Sequence, residues 1–171
     1  DYRKLYPSGR QLAIRFFAGK FLWYNLSNTT FFDFNLNRPT DYLFQYNYLG
    51  RSETTGIYSQ QFVMAEGGFK SKFQQSTSNN FMFSTNLNMG LWKWIEAYVD
   101  LGVLKNRKND FQGYFDSGLR LNLVPDYLEI YLPVASSNGF ELTQAQYATQ
   151  IRFVLTLNPK ALSGLYTRKW F

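Results

Sequence analysis

Seven ionisable side chains fall at strand spacing in a chain that contains neither histidine nor cysteine. They are Arg15, Glu96, Asp100, Asp116, Arg120, Glu129 and Arg152. Such groups could do two kinds of chemistry. A carboxyl with a shifted proton affinity could serve as a general acid or base, or hand a proton along a relay. Alternatively, the charges neutralise one another in a buried network. The absence of His removes the commonest general base, the commonest zinc ligand and every Ser-His nucleophile pair. The absence of Cys removes disulfides and thiol chemistry. The network is therefore the expected reading, with no catalytic residue, no metal and no cofactor.

Period-two segments must position these groups, and they recur along the whole chain. Eight strands are expected. The first spans Gln11 to Trp23, the second Tyr42 to Leu49, and the third lies within Ile57 to Phe73. The fourth spans Phe81 to Leu91 and the fifth Ile95 to Leu104. The sixth and seventh form a hairpin within "FDSGLRLNLVPDYLEIYLPV", from Phe115 to Val134. The eighth spans Ala148 to Leu157. Every well-defined strand has one apolar and one polar face. In the hairpin, Phe115, Leu119, Leu121, Leu123, Leu128, Ile130 and Leu132 alternate with Asp116, Arg120, Asn122, Tyr127, Glu129 and Tyr131.

Which face is inside decides the class. In a soluble barrel the leucines form the core; in a membrane barrel they meet lipid. Three features favour lipid. No ionised group interrupts the apolar faces of the fourth, fifth and eighth strands, where one at mid-bilayer would cost ~2–4 kcal/mol. The polar faces hold Tyr, Gly, Asn, Arg and carboxylates but little Lys, whereas a solvated face uses Lys freely. Lysines 70, 72, 93, 105 and 108 are assigned to loops and turns. Finally, Trp23, Tyr24, Trp92 and Trp94 mark strand ends, as an aromatic girdle does. The seven ionisable groups then form a lumen network.

Connections also alternate. "WKW" (92–94) and "VPD" (124–126) are tight, while "KNRKNDFQG", "ASSNGFELTQAQY" and "YNLSNTTFFDFNLNRPTD" are long and polar. Short periplasmic turns and long extracellular loops are the habit of Gram-negative outer-membrane barrels. "LYPSGRQ" (5–11) reads as one more such turn and calls for an earlier strand, so these strands could be the last part of a larger barrel.

The expected fold is all-β: an antiparallel transmembrane β-barrel over residues 1–158. Residues 159–171 form a periplasmic tail or short interfacial helix, with Asn158 as cap and Pro159 at its first position. The terminal Phe171 matches the aromatic C-terminus that barrel-assembly machinery recognises. "FFDFNL" (31–36) reads as an apolar loop patch packing over the barrel mouth or touching a partner, and "EGG" (66–68) as a bulge in strand three. The triplets at 25–27 and 28–30 match the glycosylation pattern only by permissiveness.

The chain carries 13 Tyr, 17 Phe and 4 Trp in 171 residues and a net charge of +6. Its cations are scattered rather than set in a stripe, so no nucleic-acid partner is expected. No apolar run approaches the ~20 residues of a membrane helix. The opening "DYRKLYP" is not a leader, so export would imply that a leader or a longer N-terminal part has been removed.

Several stretches resemble the C-terminal outer-membrane region of gluzincin (aminopeptidase-type) metallopeptidases of Bacteroidetes. They are "RPTDYLFQYNYLGRSE", "SQQFVMAEGGFKSKF", "WKWIEAYVDLGVLKN", "YFDSGLRLNLVPDYLEIYLPV" and the closing "TRKWF". The likeness runs from about Leu12 onward. It implies an upstream peptidase domain with His-Glu-x-x-His zinc ligation, or a stand-alone relative. With no His here, no catalytic residue carries over. The function expected is a membrane anchor or scaffold in the cell outer membrane, not an enzyme. Two alternatives are an accessory subunit of a larger outer-membrane uptake or assembly complex, and a soluble lipocalin-like binder of apolar ligands.

Overall fold

The computed structural model describes residues 2–8, 10–22, 33–36, 68–107, 109–124 and 128–155. Ten strands occur among them: β1 (Tyr2–Leu5), β2 (Gln11–Lys20), β3 (Phe34–Asn35), β4 (Thr77–Ser78), β5 (Phe81–Gly90), β6 (Ile95–Lys105), β7 (Gln112–Val124), β8 (Leu128–Ser136), β9 (Gly139–Phe140) and β10 (Arg152–Leu155). Two short 3-10 turns, Glu141–Thr143 and Tyr147–Thr149, precede β10. The main sheet is antiparallel, in the order β1-β2-β5-β6-β7-β8-β10, with β9 on the end of β8. The small β3–β4 pair stands apart from it.

The sheet differs from the expected meander at one point. β2 pairs directly with β5, from Leu12 opposite Met89 to Lys20 opposite Phe81. The chain between them is therefore a single long excursion, and no strand from it separates β2 from β5. The second expected strand, 42–49, lies outside the described residues. Of the third, 68–73 are described and are not strand. Gly68, expected at a bulge, is also outside any strand; Glu66 and Gly67 are not among the described residues. The eighth strand starts later than expected, because 147–149 form a 3-10 turn. The strand anticipated before "LYPSGRQ" is present as β1, paired with β2.

Connections sort by end. β1 and β2, β5 and β6, and β7 and β8 are joined at one end of the sheet, and β2 and β5, β6 and β7, and β8 and β10 at the other. At the tight 91–94 turn, the N–H groups of Leu91 and Trp92 both donate to the Ile95 carbonyl at 2.9 Å. Pairing of β5 with β6 and of β6 with β7 runs without a register break. Between β7 and β8 the register shifts, so that Ser117 faces Ala135 while Gly118 faces Pro133. Val134 is the extra residue. The bulge accommodates Pro133, which has no N–H to give the ladder. A Cβ at position 118 would stand 2.2 Å from the Leu132 carbonyl oxygen, so only glycine fits opposite it.

One face of this sheet is covered and the other is open. The covered face takes Phe34 and Leu36 from the start of the excursion and Phe69, Lys70 and Ser71 from its return. Phe34, Leu36, Phe69, Met82 and Leu104 form a small apolar cluster, with Phe17, Phe21, Phe73 and Tyr114 packed on it. The "FFDFNL" patch, as far as it is described, thus packs onto the sheet. Glycines make the room. A Cβ on Gly19 would lie 2.6 Å from the Phe34 ring, and one on Gly102 would lie 2.6 Å from Leu36 Cδ2.

Beside that apolar cluster, charged groups lie on the covered face and large apolar side chains on the open one. The covered face carries Asp116 and Asp100, 0% and 1% exposed, while the open face carries Leu101 at 50% and Phe16 at 64%. The leucines of β7 and β8 lie on the open face and the charges lie beneath the excursion. Tyr127 and Val124 side chains fall outside the described set.

Candidate functional site

The strand register sets polar residues in rows across the covered face. One row is Arg15, Asn86, Asp100 and Asp116, on β2, β5, β6 and β7. A second is Glu96, Arg120, Tyr131 and Arg152, on β6, β7, β8 and β10. Tyr98 sits between the rows, its ring at 5.3 Å and edge-on to that of Tyr131.

The first row contains a conflict. Asp100 and Asp116 are directly opposite on neighbouring strands, and facing like charges destabilise a sheet. Lys70 resolves it from the excursion. Its Nζ lies 3.1 Å from Asp100 Oδ2. Its backbone N–H donates to Asp116 Oδ2, and the Ser71 N–H donates to the same oxygen at 2.7 Å. Asn86 Nδ2 donates to Asp100 at 2.8 Å, and the Tyr98 hydroxyl to Asp116 at 3.1 Å. The ammonium also donates to the Gly68 carbonyl and stands 4.6 Å from the centre of the Tyr131 ring. Arg152 Nε donates to the Lys70 carbonyl at 2.7 Å, so β10 holds the same residue from the other side. Side chains from β6, β7, β8 and β10 thus converge on Lys70.

The second row holds two members of a charged triad, Glu96 and Arg120, completed by Glu129 of β8. Arg120 pairs with Glu96 at 2.6 Å through Nη1 and with Glu129 through Nη2. The Tyr131 hydroxyl donates to Glu129 at 2.8 Å, and Gln11 Nε2 to Glu96 at 2.6 Å. This two-sided use of a planar guanidinium is something a lysine could not reproduce.

The structure therefore brings all seven predicted ionisable residues to one face. Asp100, Asp116, Glu96, Arg120, Glu129 and Arg152 are buried there, and Arg15 is half-buried opposite Asn86. Trp92 and Trp94 stand exposed at the 91–94 turn. Trp23, Tyr24 and Phe171 lie outside the described residues. Lys105, assigned to a connection, is instead the last residue of β6, whereas Lys70 lies in a connection as expected, yet sits 4% exposed at the centre of the charged face. Tyr98, Tyr131 and Asn86 also belong to the network. The signal available in the sequence was the acid-on-acid pairing of Asp100 with Asp116, visible once the register across residues 105–112 is fixed.

At the long-loop end, residues 137–151 fold over the sheet. Glu141 is buried and accepts from Ser136, and the Tyr147 hydroxyl donates to the Pro133 carbonyl at 2.9 Å. Partial burial, with the Glu141 charge nearby, pushes the Tyr147 phenol above its ordinary value and keeps it a donor. Asn138 Nδ2 donates to the Lys72 carbonyl at 2.8 Å, tying this loop to the excursion. Partial desolvation, then the neighbouring Arg152, holds the Lys72 ammonium below its usual range.

Chemically, the arrangement neutralises itself. A general acid or base must come within ~3 Å of the proton it moves. Asp116 is instead capped by the main-chain N–H groups of residues 70 and 71, and Asp100 by the Lys70 ammonium and Asn86. Among the described residues no group of three His, Cys, Asp or Glu could hold a metal ion. No protein-family model, no curated protein and no solved structure matches the chain.

Proposed function

We propose that the chain is part of an outer-membrane β-barrel that anchors or scaffolds a partner, and that it performs no catalysis itself. The observation that carries this reading is the inverted polarity of the sheet: ion pairs beneath the excursion, leucines and phenylalanines on the open face. In water, that face would cost free energy as a large exposed apolar patch. In lipid it is the favourable arrangement. Strand length agrees. The 11 residues of β6 extend roughly 36 Å and, tilted by about 45°, span roughly 25 Å, the height of the apolar band of such barrels. A lipocalin-like carrier is disfavoured, because it needs the leucines inside.

Closure is the finer part of the proposal. The seven strands from β1 to β10 alternate in direction, so the two outer ones run the same way. An all-antiparallel barrel then requires at least one further strand between them, and bacterial single-chain barrels use even numbers. This supports a place within a larger barrel. The described ends of the excursion, around Phe34 and Leu36 and at 69–71, cover the charged face, which argues against an open channel. The resemblance to metallopeptidase C-terminal regions supports an upstream enzymatic domain as the anchored partner.

Extraction of membranes with alkaline carbonate or urea tests the core of the reading. The protein is expected to stay in the pellet; release as a folded monomer would overturn it. The gene sequence upstream of Asp1 tests the partner. A zinc-peptidase domain there should supply all of the turnover, and detaching it should cost membrane attachment before activity. Zinc-dependent turnover by the 171-residue chain alone would defeat the anchor.

A further inference from the structure

The short-turn rim combines two features that the interior network does not use. Leu5, Tyr6, Leu91, Trp92 and Trp94 are all exposed there. Lys4, Arg10 and Lys93 are exposed among them. The two turns that carry these residues are packed together. A Cβ on Gly90 would stand 2.9 Å from the Gln11 backbone nitrogen and 3.2 Å from Arg10 Cα, so the 6–10 turn rests against the start of the 91–94 turn. Lys4 also lies over the Tyr6 ring, 5.2 Å from its centre.

Exposed charge on the described part of this rim has one sign. Its described carboxylates, Glu96 and Glu129, are buried and turned onto Arg120. Exposed charge on the two turns is therefore cationic among the described residues; Asp126, in the third turn, is not described. Indole rings flanking a lysine suit the boundary between acyl chains and headgroups, with the rings at the boundary and the ammonium reaching outward.

We infer that this rim is a docking surface for anionic phospholipid headgroups of the leaflet it faces. Lys4, Arg10 and Lys93 supply the charge, and Trp92 and Trp94 set the depth. The inference rests on the membrane reading and adds a lipid preference to it. Charge complementarity argues for this occupant: a cation near an anionic surface favours binding about five-fold, and salt weakens the effect.

The test uses the protein as encoded by its gene, with any further strands that close the barrel, in vesicles of phosphatidylcholine with a phosphatidylglycerol fraction. Spin-labelled phosphatidylglycerol and phosphatidylcholine report which lipid contacts the protein. The expected result is a preference for phosphatidylglycerol that falls with added salt. Lys4→Gln, Arg10→Gln and Lys93→Gln together should reduce it to near parity. Lys105→Gln with Arg107→Gln, at the other end, should leave it intact. Heat-modifiable gel mobility confirms that each variant is folded. Equal contact with both lipids, or a preference that survives the triple variant, overturns the inference while leaving the membrane reading in place. Failure to insert into either vesicle overturns both.

Discussion

Replacing Lys70 by methionine should be among the most damaging single changes on the covered face. Methionine preserves most of the aliphatic bulk but removes the ammonium. The backbone bonds from residues 70 and 71 to Asp116 and from Arg152 to the carbonyl of residue 70 are untouched, because they use main-chain atoms. The loss is confined to the ion pair with Asp100, the bond to Gly68 and the cation over Tyr131. Asp100, 1% exposed, would keep Asn86 as its side-chain donor among the described residues. Breaking one side of a buried ion pair costs about 3–5 kcal/mol, because the remaining charge stays uncompensated. Asp100→Asn in the same background removes that charge, so the double variant should regain most of the loss. Urea unfolding in lipid vesicles, followed by Trp fluorescence and gel mobility, gives all four corners of the cycle. A Lys70→Met cost below ~1 kcal/mol, or strictly additive single effects, would show that Lys70 is not the counter-ion holding the excursion in place.

Other expectations rest on separate parts of the molecule. Gly102→Leu should push against Leu36 and Phe69 and cost about 1–3 kcal/mol, whereas Gly113→Ala, with nothing within 4 Å of the added Cβ, should be near neutral in the same unfolding assay. Arginine on the open face should reveal lipid through depth. Val99→Arg, mid-strand and opposite Leu87 and Ser117, should lower vesicle folding by ~2–4 kcal/mol. Leu121 pairs with Ile95 beside the 91–94 turn, not near mid-strand, so Leu121→Arg should cost only ~0–1 kcal/mol. Equal, negligible costs at both positions would mean that the face meets water. Lys72→Gln should leave stability unchanged or slightly raised at neutral pH, because the ammonium is disfavoured in the folded state. For the same reason, the wild type should gain stability over this variant as alkaline pH deprotonates Lys72 between its lowered folded pKa and the unfolded value of 10.5. A wild type that loses stability relative to Lys72→Gln in that range would contradict the sign.

Alternation alone determined the two faces of β5 to β8. Side chains in a strand point alternately to opposite sides, so Asp116, Arg120 and Glu129 could be separated from Leu119, Leu121 and Ile130 by counting. The short turn at 91–94 was legible for a related reason, since it lies between two strongly periodic runs. The β1 strand was legible from the turn-like "LYPSGRQ". What counting could not supply was the path between β2 and β5. Period-two pattern in 42–73 looked like two more members of the meander, but pairing is decided by which edge is available, and β2 spends its edge on β5. Lys70 was hidden for the same reason. Its sequence neighbours mark it as a loop lysine, and only the tertiary structure puts it where two opposed aspartates need a cation. The like-charge pair across β6 and β7, 16 positions apart in sequence, is a product of register, and the residue that satisfies it comes from a segment that is not in the sheet. Local pattern fixes which way a side chain points; long-range pairing fixes what it meets.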